Sequence, residues 1–333
     1  MTIARSQIIS LDTTPYYHCV SRCVRRAFLC GTDKLTGQSF DHRKQWILDR
    51  LGILTQVFAI DICAYALMSN HYHVVLRVDR ARVEQMPDHE VLVRWNSLFS
   101  GNPLVSTYLA GNELSRMEQK NLADLIEEIR PRLYDISWFM RCLNEWIARQ
   151  ANKEDGCKGR FWEGRFRTQA LLDEHGLLTC MAYVDLNAVR AGIADSPENS
   201  DFSSIQARIR TWGQATGEVV AAQCPPLLKF NDSGKDDDLL PFTLVDYMEL
   251  VDWTARNVRA DKSSAMSEDA PPLLERMGIE AGTFAMQMRG EGGKFPLFMG
   301  AYHCLQHTAL RLGRRCIQGS GTARQLFGGD RAS

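Results

Sequence analysis

The chain has almost no net charge: 39 Lys and Arg stand against 40 Asp and Glu, a balance of -1. A global basic field is therefore excluded, and any nucleic-acid binding must come from local patches. None of the ten cysteines forms a Cys-x-x-Cys pair, so zinc-ribbon spacing is absent. Their scatter does not suit a disulfide framework either, and reduced, mostly buried thiols in a cytoplasmic protein are expected. No run approaches the ~18 apolar residues of a membrane span, and the N-terminus lacks a signal-peptide apolar region, so no membrane association is expected. Internal repeats are missing too. His303 and His307 stand at i, i+4, but no Glu makes them a His-Glu-x-x-His site, and they read as ordinary surface or core histidines. What is there is an ordinary globular composition, 45% hydrophobic and 24% charged, in a chain of 333 residues, enough for a full core and more than one domain.

The segment Leu67-Met68-Ser69-Asn70-His71-Tyr72-His73-Val74-Val75-Leu76 organises the rest. Ile60 to Leu67 reads as a strand, and Val74 to Val78 as a second. Alternate side chains of a strand share a face, so His71 and His73 point the same way. Two imidazoles side by side on a rigid strand can hold a divalent metal and require a further ligand.

Tyr16 to Val24 is a strand candidate. It runs into Arg22, Arg25 and Arg26 with no acid nearby, either a phosphate-contacting cluster or a solvated strand end. Phe40 to Phe58 carries Trp46, Ile47, Leu51, Leu54, Val57 and Phe58 at helical spacing. Strand, helix, strand, strand by residue 78 is the opening half of a ferredoxin-like α+β unit. Val91 to Phe99 and Leu114 to Ile129 read as helices of an excursion on the surface, inserted around 80–133. A further helix opens at Asp135-Ile136-Ser137.

Arg160 to Leu172 reads as a strand interrupted at Gly164. Lys158, Arg160, Arg165 and Arg167 set four cations against one nearby acid, Glu163, with Phe161, Trp162 and Phe166 between them. Interleaved cations and aromatics suit phosphate contact with base stacking, and equally a half-buried strand with a solvated basic face. Leu177 to Arg190 is a helix, with Gly192 as its C-terminal cap. It places Tyr183 and Asn187 one turn apart on one face. By itself that pair is as readily an unremarkable helical Tyr and Asn. Beyond Ile193 the sequence changes character: a helix from Ser203 to Trp212, a linker to about 240, and short helices at 241–259, 272–277 and 301–312.

Taken in order, Tyr16-Tyr17-His18, Met68-Ser69-Asn70-His71-Tyr72-His73, Gly159-Arg160-Phe161-Trp162 with Arg165 and Arg167, and Ala182-Tyr183-Val184-Asp185-Leu186-Asn187-Ala188-Val189-Arg190-Ala191-Gly192 resemble the REP-associated tyrosine transposases. These are relatives of the single-tyrosine transposases of small insertion sequences, within the wider His-hydrophobe-His endonuclease superfamily. The resemblance spans roughly 14–195. It implies a ferredoxin-like antiparallel sheet with helices on one face; the 196–240 linker and the mostly helical C-terminal region at 241–333, read from the sequence itself, lie beyond the family domain. It implies His71, His73 and Asn187 as ligands of Mg²⁺ or Mn²⁺, Tyr183 as the nucleophile, and Arg22, Arg25, Arg26, Lys158, Arg160, Arg165 and Arg167 as DNA contacts. The expected partner is single-stranded or hairpin DNA, with no organic cofactor. The family pattern has Pro after the Asn, whereas Ala188 here lets the helix continue towards Gly192. The implied activity is metal-dependent cleavage and rejoining of single-stranded DNA through a 5′-phosphotyrosine.

Two other functions compete. A replication initiator or relaxase of the same superfamily often carries two tyrosines on the catalytic helix, and here the helix has Tyr183 alone. A non-catalytic hairpin-binding relative would not need the full set of His71, His73, Tyr183 and Asn187. The appended C-terminal region favours a monomer over a dimer.

Overall fold

The structure is a computed structural model that describes residues 5–24, 29–32, 37–214, 224–234, 236, 238–259, 269–290 and 296–327. In chain order its elements are α1 (Arg5–Ile8), β1 (Tyr16–Arg22), α2 (His42–Val57), β2 (Ile60–Leu67), β3 (His71–Val78), α3 (Arg80–Glu84), α4 (Asp88–Leu98), α5 (Pro103–Leu109), α6 (Arg116–Ile129), α7 (Ile136–Glu154) and β4 (Arg167–Leu171). Then follow α8 (Glu174–Asp185), α9 (Asn187–Arg190), α10 (Ser204–Gln214), α11 (Leu244–Arg259), α12 (Pro272–Arg276), α13 (Ala281–Arg289), β5 (Phe298–Met299), α14 (Tyr302–Arg311) and α15 (Ser320–Leu326).

The fold is α+β around one five-stranded sheet of order β2-β3-β1-β4-β5. The first four strands pair antiparallel, and β5 joins β4 in parallel. The sheet is thus mixed rather than purely antiparallel, because the C-terminal region adds an edge strand. β2 and β3 form a hairpin closed at Met68, whose N–H donates to the His71 carbonyl at 2.9 Å. The strand expected from Arg160 to Leu172 is broken around Gly164: Trp162 bridges Cys23, and regular pairing resumes only at Arg167.

Helices cover both faces, which corrects the expectation of one. Tyr17, Cys19, Tyr72, Val74 and Leu76 pack with α2 and α7 on the first face. The insertion joins this core rather than riding on the surface, since Val91, Leu92, Leu122, Ile126 and Ile129 are buried in it. Its amphipathic α6 begins with a capping box, Ser115 and Glu118 each bonding the other's backbone N–H. On the second face Ala64, Ala66, Val75 and Leu171 meet α8.

The sequence of α8 explains its place. Leu177, Leu178, Cys180, Met181, Ala182 and Val184 leave no polar side, so the helix must be enclosed all round. The sheet lies below it, and α11 and α13 pack against it. Between Gly176 and Val189 every residue is buried except Tyr183. Two carboxylates fix the ends. Asp173 accepts from Gly176 N–H at 2.9 Å, capping α8, and from Ala301 N–H at 2.6 Å. At the other end fully buried Asp185 accepts from Ser204 Oγ, from Ile205 N–H at 2.9 Å and from Tyr247 Oη at 2.5 Å. The stretch expected as a linker therefore supplies α10 to this anchor, and Leu228 N–H donates to Ile62 O at 2.8 Å.

Gly176 makes the close approach between α8 and β5 possible. A Cβ there would lie 2.4 Å from the Met299 carbonyl oxygen, which is backbone and cannot swing aside. Gly176→Ala gains about 1 kcal/mol of helix propensity but forces a separation that costs about 1–3 kcal/mol. Gly213→Ala in α10 meets nothing within 4 Å and keeps only the propensity gain. Denaturant titration should show Gly176→Ala less stable than wild type and Gly213→Ala equal or more stable. A Gly176→Ala chain at least as stable as wild type would contradict the packing of β5 against α8.

Candidate active site

The second face of the sheet carries the candidate chemistry. Alternation from the register places Tyr16, His18, Val20 and Arg22 of β1, His71, His73 and Val75 of β3, and Arg167, Gln169 and Leu171 of β4 on this face. Arg22 pairs with His71, Val20 with His73 and Arg167, and His18 with Val75 and Gln169. The His71 and His73 rings lie 5.0 Å apart, edge to face. The Tyr183 ring on α8 lies 6.1 Å from that of His73. The structure thus brings together three of the residues singled out from the sequence.

Asn187 follows one turn later, and here the backbone departs from expectation. α8 ends at Asp185, Leu186 leaves the helical region at ψ 5°, and α9 restarts at Asn187. Alanine at 188 permits the restart, but the buried Asp185 anchor precedes it and the helix does not pass through unbroken. Asn187 is buried.

Each histidine has its Nδ1 engaged. His71 Nδ1 lies 2.6 Å from Asn70 Oδ1, an acceptor, and so donates. His73 Nδ1 lies 2.8 Å from His18 Nε2, and the two rings stack. His18 Nδ1 in turn meets Gln169 Oε1 at 3.1 Å. His73 Nε2 is buried and has no hydrogen-bond partner among the described residues, which costs on the order of 1–3 kcal/mol unless a ligand takes it. A metal therefore fits: an imidazole lone pair is held in a dry place with nothing else to do. Among the described residues no group of three or more His, Cys, Asp and Glu side chains is arranged to hold a metal, so a site here needs a ligand of another type, such as the Asn187 amide. Burial keeps the rings neutral. It pushes His18 down to about 4, and burial with the Arg22 charge does the same to His71. His73 is held well below the ordinary range by burial, then by its two neighbouring rings and Arg190.

Three residues at this site had no role assigned from sequence: His18, Gln169 and Arg190. The guanidinium of Arg190 lies 4.0 Å over the Tyr183 ring, and its Nε is buried without a partner. A strand reading alone puts His18 on a face. Only the register reveals which face, and that Gln169 lies beside it.

Of the cations singled out from the sequence, Arg22 and Arg167 lie on this face by register. Arg22, Lys158, Arg160, Arg165 and Arg167 are all exposed, and none is paired with an acid among the described residues. Elsewhere Arg43 is bound by Glu154 and Asp155, Arg77 by Asp61 and Asp238, and Arg82 by Asp61. Arg5 adds a charge next to Arg165, its guanidinium stacked 3.8 Å from the Phe166 ring. Arg25 and Arg26 lie outside the described residues. Phe161 and Trp162 are core: both are buried, and Trp162 Nε1 donates to Asn144 O at 2.7 Å. His303 and His307 are exposed on α14. All ten cysteines are free, and no helix among the described residues is long and apolar enough to cross a membrane.

Unfolded histidine titrates near ~6.5, while folded His18 and His71 titrate at about 4. Between these values the unfolded chain binds more protons, so stability is full above the upper value and is lost as pH falls through the window. Buried His18 alone accounts for about 2 kcal/mol between pH ~7 and ~5. Denaturant titration in chelator should show that loss, reduced in His18→Gln. An equal loss in the variant would show that His18 is not a neutral buried ring.

No family model matches the chain, and no curated protein does. A solved structure of a REP-associated tyrosine transposase bound to a REP hairpin is similar at 14% identity and a TM-score of 0.34, covering 60% of this chain and 81% of that one. This is a remote likeness.

Proposed function

We propose that the chain is a metal-dependent single-stranded DNA nickase and strand transferase of the tyrosine transposase type, built on a ferredoxin-like unit formed by β1, α2, β2, β3, α7 and β4. The observation that carries the reading is Tyr183: the one residue between Gly176 and Val189 that is not buried, with its ring 6.1 Å from a buried histidine whose Nε2 has no hydrogen-bond partner among the described residues. A core tyrosine would not be the single opening in an enclosed helix, and a structural histidine pair would have its ring nitrogens satisfied.

His71, His73 and Asn187 would hold Mg²⁺ or Mn²⁺. That ion, when bound, polarises the phosphodiester and offsets the charge that develops on its oxygens. Tyr183 Oη attacks phosphorus, and the P–O3′ bond breaks. The phenol gives its proton to solvent, and the departing 3′-oxygen takes one up. The products are a 5′-phosphotyrosine and a free 3′-hydroxyl. Because the phosphodiester energy is kept in the tyrosyl ester, attack by another 3′-hydroxyl rejoins DNA and releases the phenol. Arg190, stacked on the Tyr183 ring, holds the nucleophile's orientation and adds positive charge where the phosphate arrives. Arg22 and Arg167, on the face of the His pair, and exposed Arg165, Arg160 and Lys158 take the flanking phosphates of single-stranded or hairpin DNA. The C-terminal helices cover α8, which suits a monomer.

Wild-type protein with Mn²⁺ and a labelled single-stranded hairpin from the sequence flanking its gene should yield a protein-linked label on a denaturing gel. Tyr183→Phe, His71→Ala and His73→Ala should abolish it while still binding the hairpin. A covalent band in Tyr183→Phe would overturn the assignment of the nucleophile. Arg22→Ala and Arg167→Ala should each lower the slope of log affinity against log salt by about 0.7. Unchanged slopes would remove these residues from the DNA surface.

A further inference from the structure

We propose that His18 and Gln169 are positioning residues that set the tautomer of His73, and that the Pro296 carbonyl, contributed by the C-terminal region, decides its sense. The inference rests on the metal-centre reading above. The argument begins at the one group with no choice. A backbone carbonyl only accepts, so at 2.5 Å from Pro296 O the Gln169 amide must present Nε2–H. Its Oε1 is thereby turned to His18 Nδ1 at 3.1 Å. Cys180 Sγ on α8, 3.9 Å from the same oxygen, is also a donor, which agrees with that sense.

An amide oxygen only accepts, so the proton of His18 sits on Nδ1 and the lone pair on Nε2. At 2.8 Å, His18 Nε2 and His73 Nδ1 share one proton, and the donor must be His73 Nδ1. The lone pair of His73 is then on Nε2, the buried atom without a partner. The opposite sense fails at both ends. It would set Gln169 Oε1 against the Pro296 oxygen, two acceptors in contact, and would put a proton on His73 Nε2, where it would be a buried donor unable to ligate. The chain from Pro296 through Gln169 and His18 to His73 spans the segment before β5, then β4, β1 and β3. It gives part of the region after residue 195 a role at the site: without that carbonyl, only the weak Cys180 thiol donor opposes reversal of the amide, which would protonate the imidazole at its ligating nitrogen.

The test uses the full chain labelled with ¹⁵N-histidine, in chelator, with ring nitrogens read by long-range proton–nitrogen correlation and assigned by the loss of signals in His18→Gln and His73→Gln. Wild-type His73 should be protonated at Nδ1 and bare at Nε2. Gln169→Leu, which removes the acceptor, should mix the tautomers and weaken Mn²⁺ binding by calorimetry by about 10- to 100-fold. Wild-type His73 protonated at Nε2 would overturn the proposal without any variant, as would unchanged tautomer and Mn²⁺ affinity in Gln169→Leu. The expected tautomers with no Mn²⁺ binding by wild type would leave the relay standing and remove the metal centre instead.

Discussion

The enclosure of α8 is the constraint from which the rest follows. A helix with no polar side has no stable place at a surface, and here the sheet supports one side while α11 and α13 take the other. Once enclosed, its only polar opening from Gly176 onward is Tyr183, and its carboxylate Asp185 has to be answered from other elements, by Ser204, Ile205 and Tyr247. Burial pushes the Asp185 carboxyl up from its ordinary range. Three donors converge on it because an unanswered carboxylate at that depth would cost more than the packing returns. The same burial dries the sheet face beneath and keeps its histidines neutral.

Neutral imidazoles on a largely buried sheet face are useful in one particular way. Each has one donor and one acceptor nitrogen, so hydrogen bonding at Nδ1 leaves Nε2 as a lone pair. Asn70 does this for His71, and His18 does it for His73. The surrounding surface complements that choice. Neutral rings do not repel a cation, and on the same face Arg22 and Arg167 are paired with no acid among the described residues. Net charge near zero hid this division, because acids neutralise arginines elsewhere on the molecule.

Much of the central architecture was legible. The apolar run of Ile, Ala and Tyr from Ile60 to Leu67 gives a strand with the observed bounds, and the spacing of Ile47, Leu51 and Leu54 gives α2. Periodicity reports a local environment, and these segments have one. β5 could not be read, since two residues, Phe298 and Met299, form a strand only because β4 offers them an edge. α13 lies outside the periodic pattern, and the helical periodicity of 177–190 does not tell which face of the sheet α8 covers, which only its packing on Ala64, Ala66, Val75 and Leu171 shows. At the site, the His pair and Tyr183 were visible as motifs. His18 stood in a motif without a role and Gln169 in none, because their contact joins residues 151 apart and exists only through the β1–β4 register. Phe161 and Trp162 show the converse, since interleaving with cations left core and base-stacking readings equal, and only burial separates them.

The most direct test of the centre is electron spin echo spectroscopy of Mn²⁺ bound to the chain carrying ¹⁵N-histidine, compared with His71→Ala and His73→Ala. Two directly coordinated imidazole nitrogens in wild type, falling to one in each variant, is the predicted result. Bound Mn²⁺ with no histidine nitrogen coupled to it would contradict the account.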